Sequence, residues 1–553
     1  MPLKFEKHFT PNEMPSIWGS PAKPDFPNKI RLIYGIGFVV ALVTASLQNN
    51  LIIAYIPYLQ GDYGFTPTQG ACVTAAYYMG NVWTTIMLFR LRQHFGLKIF
   101  FICIFVGLLL SQFLELMYSN FSVVIFARFI GGVVGGGINV LTIYYALEML
   151  PPKQRYLLFP ISIGLIQIGS VLSRFIVAYF SISDYPHLML CFEAGICIIA
   201  FCVSLLIELP PSQIDKAFSF EDSSIVFYAL ATAICCFIFS VGNIVWWHHS
   251  YIAYGLCIAI VSFGIFFLIE FFKKRPFINL KFLTNIQLIE VALAAAFVRM
   301  CLAEQSTGAT GLFKNVLGFS DYQLMDYYGI LTLGALCGGI ACIMIYHYER
   351  SHGMILFAAF LIPLGSFLST KLSIDMLPSN LYLGQFLIAF ASVFFIGPLM
   401  VNGIILGYAR RINHLVTFAA IFTFSQGVFG LLGSAIIGFF IQTQTMQHMQ
   451  NLLNHSFQTN NLIQHFKGDF YEELNKQAGI LAYGDLFFYI GVIGTCIFLV
   501  LASRYVYFKL LSSNSIQREL NILKTKSINS NLKTAQFLEK LNNKETKSIR
   551  RIQ

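Results

Sequence analysis

The sequence predicts an all-α polytopic membrane protein, and three observations carry that reading. Apolar side chains make up 56% of the 553 residues and only 11% are charged, less than half the share of about 25% usual in soluble chains. The apolar residues gather in runs of about 20, the length at which a helix spans the hydrocarbon core. Basic residues recur in alternate loops, which is how cytosolic loops are marked.

In chain order the runs fall near 33–58, 71–89, 98–118, 122–146, 157–181, 187–208, 225–243, 251–272, 285–311, 325–346, 353–371, 381–406, 415–441 and 482–505. Fourteen spans place both termini on one side. The loops expected in the cytosol hold Arg90, Arg92 and Lys98, then Lys153 and Arg155, Lys216, Lys273 to Arg275 with Lys281, Arg350, and finally Arg410 and Arg411. The loops expected outside hold only Lys314, Lys371, Lys467 and Lys476. Both termini are therefore expected to be cytosolic. Residues 1–32 carry no apolar stretch of the kind a cleavable signal needs and read as a cytosolic arm. Residues 442–480 read as a polar external segment with a short amphipathic helix, and the basic tail 506–553 as a helix resting on the anionic leaflet or a solvated tail.

A net charge of +10 raises the question of nucleic acid. The basic residues sit in short loops and the tail, where orientation and lipid explain them, so no nucleic-acid partner is expected. The 12 cysteines lie almost all inside apolar runs without CxxC or Cys/His ligand spacing. They read as small core residues, and neither a disulfide nor a metal is expected.

The fourth run, Phe126 to Ile143, is the most unusual. On a helix, Arg128, Gly132, Gly135 and Asn139 share one face. The pairs Gly131/Gly135 and Gly132/Gly136 let a neighbouring helix approach closely. An arginine in hydrocarbon costs about 3 kcal/mol or more, so Arg128 should face a partner or a cavity.

Several stretches, in order, resemble the fourteen-helix drug:proton antiporter branch of the major facilitator superfamily. Arg128-Phe-Ile-Gly-Gly-Val-Val-Gly-Gly-Gly137 is similar to that branch's fourth-helix motif, R-x-x-Q-G-x-G-x-G. Ile53-Ala-Tyr-Ile-Pro57 with Gly61-Asp-Tyr-Gly64 resembles the end of its first helix, and Arg275-Pro-Phe-Ile-Asn-Leu-Lys-Phe-Leu-Thr-Asn285 the linker after its two extra helices. Lys314-Asn-Val-Leu-Gly-Phe-Ser320 and Leu481-Ala-Tyr-Gly-Asp-Leu486 also sit where the branch has comparable words. The resemblance covers about residues 31–505. It implies a bundle at 33–210, two inserted helices within 211–284, and a second bundle at 285–505.

The chain departs from that pattern where antiport is coded. The family's aspartate nine residues before the helix 1 proline is Gln48 here, the loop aspartate after helix 2 is Gln93, and the helix 5 region reads Ser173-Arg174-Phe-Ile-Val-Ala178 in place of G-P-x-x-G-G.

At about 1.5 Å per residue, Gln48, Arg128, Arg174 and Glu193 are all expected in the outer half of the first bundle. Glu193 would then pair with Arg128 or Arg174. The other open reading has Arg174 and Glu193 reaching the outer surface while Arg128 braces the bundle. In the ninth run Arg299 is placed near the midplane and Glu304 further out. Since Gln48 cannot take up a proton, Glu304 is the best remaining coupling carboxyl, with Glu193 second; pairing of Glu304 with Arg299 or with external water is the alternative. Gln48, Asn49, Arg128, Arg174 and Arg299 are the candidate cavity residues.

The resemblance implies a secondary transporter in a cell membrane, a bacterial inner membrane by preference, with a small-molecule substrate and protons as partners. Amphiphilic or drug-like compounds would be exported. Export or import of a specific metabolite or siderophore stays open, and the buried arginines favour an anion. The segment 442–480 is a place where a periplasmic adaptor could dock. A non-transporting receptor or scaffold acting through the basic tail is the reading of another class. No Ser/His/Asp, HExxH or Walker pattern occurs, so neither an enzyme nor ATP-driven pumping is expected, nor any cofactor.

Overall fold

A computed structural model of the chain describes residues 26–181, 187–210, 223–245, 247, 249–273, 276–410, 412–457 and 467–510. The described residues form sixteen α-helices joined by short connections, with no strand among them. They are α1 (Asn28–Leu47), α2 (Asn50–Tyr63), α3 (Pro67–Phe95), α4 (Leu97–Met117), α5 (Phe121–Met149), α6 (Gly169–Phe180), α7 (Leu188–Leu206) and α8 (Ser223–Val245). Then follow α9 (Ser250–Phe272), α10 (Leu280–Leu283), α11 (Ile286–Ala303), α12 (Met325–Ile345), α13 (Ser351–Leu368), α14 (Tyr382–Arg410), α15 (Ile412–Phe457) and α16 (Lys467–Leu510). Each of the fourteen apolar runs coincides with a helical span. Thirteen of these are long and apolar enough to cross a bilayer by composition. The other is the 29-residue α3.

Local chemistry sets the breaks. The first span divides at Gln48–Asn49, and Asn50 Nδ2 donates to Ser46 O at 2.7 Å, occupying a carbonyl at the break. Gly64 ends α2 with φ 66°, the left-handed cap glycine tolerates best. Pro67 starts α3 behind a capping box in which Thr66 and Gln69 bond each other's backbone N–H.

Packing gathers α1–α7 around α5, which touches α1, α3 and α4. Helices α3 and α5 cross glycine on glycine. A Cβ on Gly132 would strike Tyr77 O, and one on Gly80 would lie 2.5 Å from Phe129 O. A second group joins α14 to α12 and α13, α16 to α13 and α15, and α15 to α11. Helices α8 and α9 pair with each other, and α8 lies against both α3 and α15. Glu270 ties the connection after α9, accepting from Phe277 N at 2.5 Å, Ile278 N at 3.2 Å and Ser224 Oγ at 2.7 Å.

One expectation is corrected. Residues 442–457 and 467–480 are not a separate amphipathic segment; they continue α15 and α16. Forty-six residues make a helix of about 69 Å, more than twice the hydrocarbon thickness. The projecting ends are held together by His448 and Asp485, 2.8 Å apart. The expected arm before residue 26, Lys216 and most of the basic tail lie outside the described residues.

Candidate functional site

The glycine face of α5 carries Arg128 into a site shut off from water. Arg128 is 2% exposed, and its guanidinium grips Glu115 of α4 with both arms, Nε to Oε1 and Nη2 to Oε2 each at 2.7 Å. This planar fork is the strongest form of the pair. Glu193 of α7 stands on the other side, 3.8 Å from Nη2, and is itself buried. Two carboxylates thus share one guanidinium. Gln48 reaches the same region through its amide, donating to Gly131 O at 3.4 Å and accepting from Tyr77 Oη at 3.2 Å.

Part of the sequence-based grouping is corrected here. Gln48, Arg128 and Glu193 do come together. Arg174 does not join them, because α6 turns it toward the second group of helices. There its Nη1 donates to Gln305 O and Thr310 Oγ1, both at 3.3 Å. Nor does Glu193 reach a surface. Glu115 was missed by the sequence reading. The available signal was an acidic residue with Ser111 and Gln112 on one face of an apolar run.

A cavity of about 580 Å³ lies between the two helix groups, within the range of small-molecule sites. Its wall includes Asn50, Pro57, Tyr78, Gln167 and Arg174 on one side and Arg299, Gln305, Ser306, Thr310 and Gly430 on the other. Of the predicted cavity residues, Arg174 and Arg299 line it. Gln48, Asn49 and Arg128 are not part of this wall; Asn50 takes that place, because the break at Gln48–Asn49 turns the following residue inward.

Glu304 lies behind the cavity, fully buried at 0% exposure. It opens a π-helical turn, Glu304–Ala309, a form of backbone that recurs at functional positions. Ser366 Oγ donates to its Oε2 at 2.5 Å and Gln385 Nε2 to its Oε1 at 3.2 Å. It pairs neither with Arg299 nor with outside water. The next residue, Gln305, carries the carbonyl that receives Arg174. One turn therefore presents a carboxyl to the core and a hydrogen-bond acceptor to the opposite group.

At Asp321 on the cavity wall, Tyr58 Oη of α2 donates to Oδ2 at 2.8 Å, and Lys314 Nζ and Tyr328 Oη hold the same carboxylate at 2.7 and 3.1 Å. Beyond the lining residues, the two groups meet where the π-turn Pro160–Gly164 lies on Gly397 of α14. A Cβ on Gly397 would be 3.3 Å from Pro160 Cα, so backbone meets backbone there.

A cavity between two helix groups in an apolar, multi-pass bundle is the arrangement a membrane transporter uses. The sequence pattern of the Major Facilitator Superfamily matches residues 38–462, and the chain belongs to that family. No curated protein matches the sequence. Among solved structures, the chain resembles a bacterial homologue of the human drug peptide transporters PepT1 and PepT2 at 12% identity and TM-score 0.54, covering 87% of this chain and 99% of that one. It also resembles the nucleoside transporter NupG at 11% identity and TM-score 0.50, over 86% of this chain and 99% of that one. At such identities the likeness concerns the fold alone.

Proposed function

We propose that this protein is a secondary active transporter that works by alternating access, with protons as the coupling ion and export as its direction. The observation that carries this reading is the cavity between the helix groups, with separable side-chain bonds at Asp321 on its wall and close backbone packing elsewhere along the same interface. Rocking the bundle 33–210 against the bundle 285–505 would loosen one of these contacts and tighten the other. With the basic loops placed in the cytosol, the Tyr58–Asp321 contact faces outward and the Pro160–Gly397 contact closes the inner side. The setting would be a bacterial inner membrane, and amphiphilic or drug-like substrates follow from the antiporter resemblance.

Glu304 is the coupling carboxyl in this reading. Among the described residues no cation pairs with it, so its proton can be exchanged without breaking an ion pair, and its π-turn reaches Arg174 on the opposite wall. Glu193 is the second candidate, since a proton there would balance the two carboxylates around Arg128.

The test uses the full chain in sealed vesicles with an internal pH dye and a broad substrate panel. Substrate addition should move protons in the wild type and move at least about tenfold fewer in Glu304→Gln, while substrate exchange without a pH gradient persists. Undiminished pH-driven transport by Glu304→Gln would remove the proton role. If nothing on the panel moves, while deleting residues 512–553 abolishes the cellular phenotype, the scaffold reading replaces transport.

A further inference from the structure

We propose that the central cavity is an anion site in which Arg174 and Arg299, one from each helix group, clamp a carboxylate-, sulfonate- or phosphate-bearing substrate. The inference rests on the transport reading and adds the substrate class to it.

The charges around the cavity do not balance. The ionic side chains lining the cavity are Arg174, Arg299, Lys314 and Asp321, which leaves an excess of two positive charges. Asp321 is already committed, because Lys314, Tyr58 and Tyr328 all donate to it. Lys314 is thereby neutralised, and the excess belongs to the two arginines. Neither has a carboxylate within ion-pair distance among the described residues. Arg174 has only the neutral acceptors Gln305 O and Thr310 Oγ1. Arg299 Nε is buried and has no hydrogen-bond partner; it lies against Gly430, where a Cβ would be 3.0 Å away. Both guanidiniums line the same cavity.

Both arginines are half-buried against the cavity, and a partly desolvated charge gains from a counter-ion that enters. Guanidinium is the group best shaped to hold a planar or tetrahedral oxyanion through paired hydrogen bonds. Because the two arginines belong to opposite groups, an anion held by both would draw the groups together. Ligand binding would then favour closure of the cavity. A substrate cation would meet the opposite field.

The test uses full-length protein in phosphatidylcholine vesicles, a zwitterionic bilayer that supplies no competing anionic lipid. Its probes share one ring system: 1-naphthoate, 1-naphthalenesulfonate, 1-naphthyl phosphate, 1-naphthylmethylammonium and 1-naphthylmethanol. Binding is read as a rise in Tm and transport as uptake. At least one anion should bind, and the amine and alcohol should not. Arg174→Gln and Arg299→Gln should each weaken anion binding about tenfold or more, with Arg174→Lys and Arg299→Lys between. An unshifted Tm without ligand would show that the variants fold. Binding of the amine in preference, no anion binding, or wild-type anion affinity in both Gln variants would overturn the clamp. Anion binding without uptake would leave the clamp standing and refute transport. Uptake of the amine or alcohol alone would refute the clamp and keep transport.

Discussion

Arg128 on α5 and Arg174 on α6 both sit in apolar helices of the first group, yet their surroundings are opposite. Arg128 is gripped by Glu115 and faced by Glu193, sealed at 2% exposure, and bordered by glycines that bring α3 and α4 close. Among the described residues Arg174 has no carboxylate within ion-pair distance; it borders a cavity and bonds across to the other group through neutral oxygens. The first arginine has spent its charge inside the fold. The second, with Arg299, keeps its charge available to something that comes and goes. A membrane-embedded arginine therefore does not by itself mark a substrate site; its counter-charge decides.

The sharpest way to break this comparison is to remove each charge and measure unfolding in detergent. Arg128→Ala leaves two carboxylates buried beside nothing positive, and the expected loss is about 3–5 kcal/mol, the size seen when one partner of a buried pair is deleted. A loss below about 1 kcal/mol would show that the cluster is solvated. Next in size is Gly132→Ala, whose methyl must push on Tyr77 O at the α3–α5 crossing; overpacking of this kind costs about 1–3 kcal/mol. Arg299→Gln should change stability by less than about 1 kcal/mol, because among the described residues no carboxylate loses a partner when this charge is removed. A large loss there would reveal a hidden structural role and erase the contrast with Arg128. Gly136→Ala should show no loss at all. The nearest atom to its Cβ is Asn81 Nδ2 at 3.7 Å, and alanine is favoured over glycine in a helix by up to about 1 kcal/mol.

The glycine stripe shows how far a sequence pattern reaches. Gly131, Gly132, Gly135 and Gly136 mark a close-packed face, and the helix does present one. Their duties differ, however, and spacing cannot rank them. Gly132 meets backbone, Gly131 meets Ser111 Oγ at 2.9 Å, Gly135 meets Tyr77 Oη and Gln48, and Gly136 has room. The charges behave similarly. Depth counted along each run correctly brought Gln48, Arg128 and Glu193 into one region. Depth says nothing of the direction in which a helix turns its side chain, and that direction sent Arg174 across to Thr310.

The sequence by itself determined the fold class, the fourteen spans and the presence of charge within them, because water-to-lipid transfer acts on each segment separately and needs no partner. Tertiary structure alone decided that Arg128 is held by Glu115, that Glu304 rests on Ser366 and Gln385, and that Arg174 and Arg299 face one cavity from opposite sides. Those outcomes depend on which helices meet and at what rotation. Contacts tens to more than a hundred residues apart in the chain settle both, and no local pattern encodes them.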